Sequence, residues 1–279
     1  MSTRDIGDPS ILIIGCGNMG GAMLAGWLAG GLDSRRITVV DPLLKVAPEG
    51  VTLLREVPSR PKLGHAYDVV LLGFKPQQLG GAAPTIAPAI DPETLVLSLL
   101  AGVELATLRG HFPAAWALVR VMPNLAAAIG KSPIGLVGDG DACARQMTDA
   151  LMAPLGRAEW LADETQMDLL TALAGSGPAF VYRFIDALAA AAAAAALGME
   201  RAQADRLALA MVEGAAALAA ASAHGPGALA DKVASPGGVT RKGLDVLDAD
   251  GRMARLAEDT LRAARDRSAE MGLAARTSG

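Results

Sequence analysis

A short apolar run, Ser10–Ile14, breaks into Gly15-Cys16-Gly17-Asn18-Met19-Gly20, and helix-forming residues follow from Met19 to Ala29. Few patterns narrow a fold so far. A strand that enters a helix through Gly-x-Gly-x-x-Gly reads as the opening of a dinucleotide-binding unit. Each glycine has a physical task. Gly15 permits the tight turn, Gly17 lets the backbone approach a pyrophosphate, and Gly20 lets the helix pack on the strand. The helix N-terminus adds N–H donors and the positive end of its dipole. Gly15, Gly17, Asn18, Met19 and Gly20 are therefore the first candidate cofactor-binding residues.

The next segments extend this reading. Arg36–Asp41 is β-branched and predicts a second strand. Asp68–Gly73, Thr94–Ser98 and Ala115–Val121 are continuous apolar runs, as strands of a parallel sheet covered on both faces should be. Helices are expected between them at Pro76–Ala87 and Val103–Gly110. The pattern predicts an α/β, doubly wound Rossmann domain over residues 1–162.

The texture then changes. Residues 163–279 are almost all helix-forming, with breakers at Gly175-Ser176-Gly177-Pro178, Gly198, Gly225-Pro226, Pro236-Gly237-Gly238 and Asp250-Gly251. An all-α domain is expected there, with helices at Glu164–Ala174, Ala179–Leu197, Arg201–Ala223, Gly227–Val233, Thr240–Leu247 and Arg252–Met271, and a frayed tail at Thr277–Gly279. Only 3% of the 279 residues are aromatic, although 52% are hydrophobic, so small side chains must fill the core. Small side chains imply close helix packing, often between subunits. The helical domain is accordingly expected to form an obligate dimer.

Charge and cysteine content exclude several classes. The net charge of −4 leaves no electrostatic footprint for nucleic acid. No basic run addresses a membrane, and the alanine-rich stretch Ala187–Leu197 is shorter than the ~20 residues a bilayer needs, so it reads as a buried helix. Met1–Ser10 has no apolar stretch of a secretory signal. Cys16 and Cys143 form no disulfide framework, and no spacing of His and Cys suggests a metal. A cytoplasmic location is the expectation.

Further candidates stand at strand ends. Asp41 either accepts a hydrogen bond from the adenosine ribose, which favours NADH over NADPH, or caps the strand end. Arg35, Arg36 and Lys45 lie near it in sequence. Lys75 either touches the cofactor or acts catalytically, or is a plain exposed lysine. Asn124 either hydrogen-bonds the carboxamide or substrate, or is a turn residue. Far down the chain, Ser235-Pro236-Gly237-Gly238-Val239-Thr240 precedes a helix. Gly237 and Gly238 expose backbone N–H groups suited to a carboxylate, and Ser235 and Thr240 add hydroxyls. The bland alternative is an ordinary helix entry with Ser or Thr as N-cap.

Together these segments resemble the pyrroline-5-carboxylate reductase family. The matching stretches are Ile14–Gly20, Gly73-Phe74-Lys75-Pro76, Ser98–Val103, Arg120–Asn124, Gly175–Ala179 and Ser235–Thr240, in the family's order and spacing. The resemblance implies reduction of a cyclic imino acid by NADPH or NADH. It implies a dimer with intertwined C-terminal helices, a substrate pocket completed across it, and in some members a decamer. By position, Thr240 would contact the ring nitrogen. Ser235, Gly237, Gly238, Val239 and Ser176 would hold the substrate. Phe74, Lys75, Pro76 and Asn124 would lie along the cofactor. The chain departs from the family's pattern at Ala174, at Leu125-Ala126 and within Lys131–Ile134. A β-hydroxyacid dehydrogenase-like enzyme shares the architecture, but needs a helical lysine in a setting that neither Lys232 nor Lys242 has. A non-catalytic nucleotide sensor is the remaining alternative.

Overall fold

The computed structural model describes residues 9–58, 67–194 and 197–277. Most of the Met1–Ser10 segment, two residues of the alanine-rich stretch and the last two of the expected tail lie outside them. The chain divides into two compact units. One comprises Met1–Gly175 with Ala264–Gly279, and the other Ser176–Ala263. Residues 163–175, assigned from texture to the helical domain, group with the first unit. So does the end of the last helix.

The first unit is built on one eight-stranded sheet in the order β3-β2-β1-β4-β5-β6-β7-β8. The strands are β1 (Ile11–Ile14), β2 (Ile37–Val40), β3 (Thr52–Leu54), β4 (Val69–Leu72), β5 (Leu95–Ser98), β6 (Ala117–Met122), β7 (Ser132–Gly138) and β8 (Gly156–Trp160). All neighbours pair in parallel except β6 and β7. The helices are α1 (Asn18–Ala29), α2 (Leu79–Ile86), α3 (Leu105–His111) and α4 (Ala142–Met152), followed by the single turn α5 (Met167–Leu170). The order of the first six strands is that of a doubly wound nucleotide-binding sheet, whose chain reverses direction beside β1.

Side-chain alternation explains why both faces are covered. Ile11, Ile13, Val69, Leu71, Leu95 and Leu97 join Met23, Trp27, Met147 and Leu151 on one face. Leu12, Ile14, Val70, Leu72 and Val96 join Leu79, Ile86, Leu108 and Phe112 on the other. Each fully buried side chain of this size contributes about 1.5–3 kcal/mol. Trp27 keeps its polar atom satisfied by donating from Nε1 to the Leu151 carbonyl at 2.7 Å.

Four elements were not anticipated from the sequence: β3, β7, α4 and β8. β7 contains Pro133, Gly135 and Gly138, residues that normally mark a loop. Pro133 lies outside the β6 register, which begins at Gly135.

The second unit holds α6 (Gly177–Ala193), α7 (Arg201–Ala221), α8 (Pro226–Val233), α9 (Val239–Asp248) and the first part of α10 (Arg252–Thr277). The described part of the alanine-rich stretch up to Ala193 is helical, as expected, and continues α6. α6 stops at Ala193, and in the single chain only Ala189 of that helix is buried. Among the described residues no single helix is long and apolar enough to cross a membrane.

Candidate active site

The glycine turn has a geometry that suits the three tasks its sequence implies. Gly15 has φ +85°, and a Cβ there would lie 2.8 Å from the backbone of Gly73 and Phe74. Gly73 closes the approach from the other side, since its own Cβ would meet the Gly15 carbonyl oxygen at 2.5 Å. Gly20 is buried, and a Cβ on it would strike the same oxygen at 2.5 Å. Gly17 differs: a Cβ there would meet nothing within 4 Å. It is the N-cap of α1 and provides no side-chain cap. The first N–H groups of α1 are thus left to an outside acceptor, beside exposed Gly17 and Asn18. This open cradle fits a pyrophosphate.

Asp41 ends β2 and ties this turn to the next loop. One carboxylate oxygen accepts from Cys16 N at 2.7 Å, and the other from Leu43 N at 2.7 Å and Leu44 N at 3.0 Å. Burial pushes its pKa up, but the three N–H donors and nearby Arg55 outweigh this and hold the carboxyl below the ordinary range. Burial, and then the Asp41 charge, push the Cys16 thiol up. Arg55 was not singled out from the sequence. It lies just past β3, and donates to the carbonyls of Asp41 at 2.8 Å and Leu44 at 2.6 Å. Its only sequence signal is that it closes a strand too short to recognise. Arg35 pairs with Asp33, and Arg36 approaches Asp68. Lys45 is exposed.

Phe74, Lys75 and Pro76 follow β4 at the carboxyl edge of the sheet. Phe74 packs against the core, while Lys75 is exposed. Gln78 fixes the turn by accepting from Lys75 N at 3.2 Å. Asn124 follows β6 and is buried. Its Oδ1 accepts from Ala126 N, its Nδ2 donates to the Ala174 carbonyl, and its own N–H donates to Ser132 Oγ, each at 2.9 Å. The bonded groups of the amide position the chain. Ala174 lies in the π-helical turn Thr171–Gly175. Buried Arg120, on β6, pairs with Glu164 at 2.7 Å, and Glu164 also accepts from Leu105 N. Neither Ser132 nor Glu164 was marked by the sequence.

In the second unit, Ser235–Gly238 joins α8 to α9. Gly237 has φ +70°, a conformation that favours glycine, and Gly238 N donates to the Ser235 carbonyl at 2.9 Å. Gly238, with no side-chain cap, is the N-cap of α9. The alternative of a Ser or Thr cap therefore does not hold. Val239 is 93% exposed, and Thr240 stands exposed on the first turn, without a side-chain hydrogen bond among the described residues. Ser176 is half-buried at the start of α6, likewise without a side-chain cap. The expected cofactor residues thus lie in the first unit, and the expected substrate residues in the second. Among the described residues no cluster suits a metal ion.

An open glycine cradle at the reversal point of a doubly wound sheet, followed by a helical unit, defines the class: a nicotinamide-dinucleotide oxidoreductase. Comparison with known proteins narrows it. Residues 164–271 match the family model described as pyrroline-5-carboxylate reductase dimerisation, and residues 11–141 match that of ketopantoate reductase PanE/ApbA. The chain is 36% identical over 269 residues to pyrroline-5-carboxylate reductase of Pseudomonas aeruginosa, covering 94% of this chain and 97% of that one. It is 33% identical to the enzyme of Methanosarcina acetivorans, covering 93% and 96%. The solved structure of a pyrroline-5-carboxylate reductase from Coxiella burnetii superposes with a TM-score of 0.85 at 29% identity, covering 94% and 98%. The chain belongs to the pyrroline-5-carboxylate reductase family.

Proposed function

We propose that this protein reduces 1-pyrroline-5-carboxylate to proline with NADPH or NADH. The observation that carries this reading is the pairing of two open helix entries, Gly17 on α1 and Gly238 on α9, within a chain of this family. One suits a pyrophosphate and the other a carboxylate. When bound, the dinucleotide supplies the hydride that passes to the C=N carbon.

The chain's own residues then have assigned work. Gly17, Asn18 and Met19 offer the first turn of α1 to the pyrophosphate, with Gly15 and Gly20 shaping the turn. Phe74, Lys75 and Pro76 flank the cofactor, and Asn124 supports that edge from below. Ser235 and the N–H groups of Gly237 and Val239 take the substrate carboxylate, Gly238 shapes the loop with its own N–H bonded to the Ser235 carbonyl, and Ser176 lines the substrate. The protonated imine N–H donates to the Thr240 hydroxyl oxygen. A protonated imine is already a strong electrophile, so orientation can supply most of the help, about 7–11 kcal/mol in favourable cases. No strong acid is needed, in keeping with a second unit whose lysines, Lys232 and Lys242, lie outside this loop. The charge of Asp41 at the end of β2 disfavours a 2′-phosphate and supports a preference for NADH.

The reading includes a dimer formed through the second unit, and a decamer of five such dimers. Two unpaired cysteines fit a reducing, cytoplasmic setting. The test is turnover of 1-pyrroline-5-carboxylate with each cofactor, beside a β-hydroxy acid with the oxidised forms. Proline formation supports the reading. Oxidation of the hydroxy acid alone, or cofactor binding without any turnover, overturns it.

A further inference from the structure

The loop Ser235–Gly238 has little to hold it. No residue in it is buried, Gly237 has nothing within 4 Å of where a Cβ would be, and the N-cap of α9 contributes no side chain. Its shape therefore depends on how its two flanking helices are joined. Among the described residues, one ion pair joins them. Arg241, on the first turn of α9, is 30% exposed and reaches three carboxylates. Its Nε donates to Asp245 at 2.8 Å and its Nη2 to Asp248 at 3.2 Å, both on α9. Its Nη1 approaches Asp231 of α8 at 3.6 Å.

We infer that Arg241 is a positioning residue for the substrate carboxylate: it clamps α8 to α9 and so presets the Ser235–Gly238 loop. This rests on the carboxylate reading of that loop. A cation beside an anion pocket invites the opposite idea, that the guanidinium itself grips the substrate. The geometry argues against it. Nε and both terminal nitrogens already face Asp231, Asp245 and Asp248, and three acids around one base leave local charge that repels an anion. The substrate is left to the backbone N–H groups, and the arginine keeps them aligned. An isolated exposed ion pair would do little, but one planar fork held by several acids orders its surroundings more effectively.

The experiment compares wild type with Arg241→Met, Arg241→Lys and the double variant Asp231→Asn/Asp245→Asn, which removes the α8 partner and the nearest α9 partner together, using 1-pyrroline-5-carboxylate and the preferred cofactor. For Arg241→Met, KM for the imino acid should rise roughly threefold to tenfold while cofactor KM stays constant. Arg241→Lys should recover part of the loss. The double variant separates the two ideas. A clamp deprived of its acids also raises substrate KM, whereas a direct ligand set free would lower it. Amide hydrogen exchange of residues 235–241, in the full protein without substrate, gives a readout independent of turnover. It should be faster in Arg241→Met and in the double variant. Unchanged exchange in both variants, or a lowered KM in the double variant, overturns the inference. Absence of proline formation by wild type, with exchange responding as stated, removes the proposed function and leaves the clamp standing.

Discussion

In the first unit, β1, β4 and β5 bury every side chain, on both faces of the sheet. In the second, the two long helices α6 and α7 bury one residue each, Ala189 and Ala204. The contrast does not come from a shortage of apolar residues. Leu207, Met211 and Leu218 are all at least half exposed, and they fall on one stripe of α7, spaced by four and seven residues. Tyr182 on α6 and Leu256 on α10 are more exposed still. A sheet sandwiched by helices closes its core within one chain. Helices faced with alanine and leucine leave theirs open until another surface arrives. The family match over 164–271 is to a dimerisation domain, which supports self-association of the chain through this region.

The strongest way to break this contrast is to charge the stripe. Leu207→Asp with Met211→Asp should convert the dimer to monomer at micromolar concentration and lower Tm sharply. In a twofold interface each substitution counts twice, so the loss should reach on the order of 6 kcal/mol. Light scattering decides, and a stable wild-type monomer would end the argument. The first unit should instead be most sensitive at its glycine turn. Gly15→Ala forces a side chain to φ +85° against the Gly73 backbone, so about 2–5 kcal/mol of stability should be lost, with cofactor binding. Chemical denaturation and cofactor titration on the same variant check both parts.

Thr240→Val sharpens the comparison at the substrate end. Thr240 is exposed and does not cap α9, so Tm should hardly move. Loss of one hydrogen bond to a charged nitrogen costs about 1.5–3 kcal/mol, hence roughly a ten- to hundredfold fall in kcat/KM. Unchanged kinetics would remove Thr240 from the mechanism. The smallest effect belongs to Asp41. Asp41→Ser should shift preference toward NADPH by about tenfold, some 1.4 kcal/mol. Because the folded pKa of Asp41 is lowered, its contribution to stability is complete above the unfolded value of about 3.9, and is lost as pH falls through the folded value. Denaturation midpoints of wild type and Asp41→Asn should therefore converge in acid. A gap that does not narrow at all as pH falls below the unfolded value would show that the carboxylate's charge is not what matters.

Local signals carried much of this structure. Continuous β-branched and leucine runs announced β1, β2, β4, β5 and β6, because a strand covered on both faces has few polar positions to blur it, here Thr38, Ser98 and Arg120. Gly15, Gly17 and Gly20 were legible because their requirements lie within the turn. β8 was hidden because its residues alternate between half-buried and exposed, with Arg157 and Glu159 outward. β7 was hidden by its proline and glycines. Asn124 was found, but not its bonding: its acceptor, the Ala174 carbonyl, lies fifty residues away, in a π-helical turn that no spacing reveals. Arg241 escaped notice because its worth depends on Asp231, on another helix. Pairings across the fold are set by packing, and a linear pattern does not record them.

The mutual approach of Gly15 and Gly73 bears on how this protein can be redesigned. Neither position tolerates a side chain while the other's backbone stays in place. They behave as a single locked pair, and exchanging residues between them offers no compensation. A saturation library that includes either would be filled with inactive clones. A campaign to change cofactor preference should leave that pair fixed, and place its diversity at exposed Lys45 and Arg55 and at half-buried Asp41, which bonds the same turn through Cys16 N.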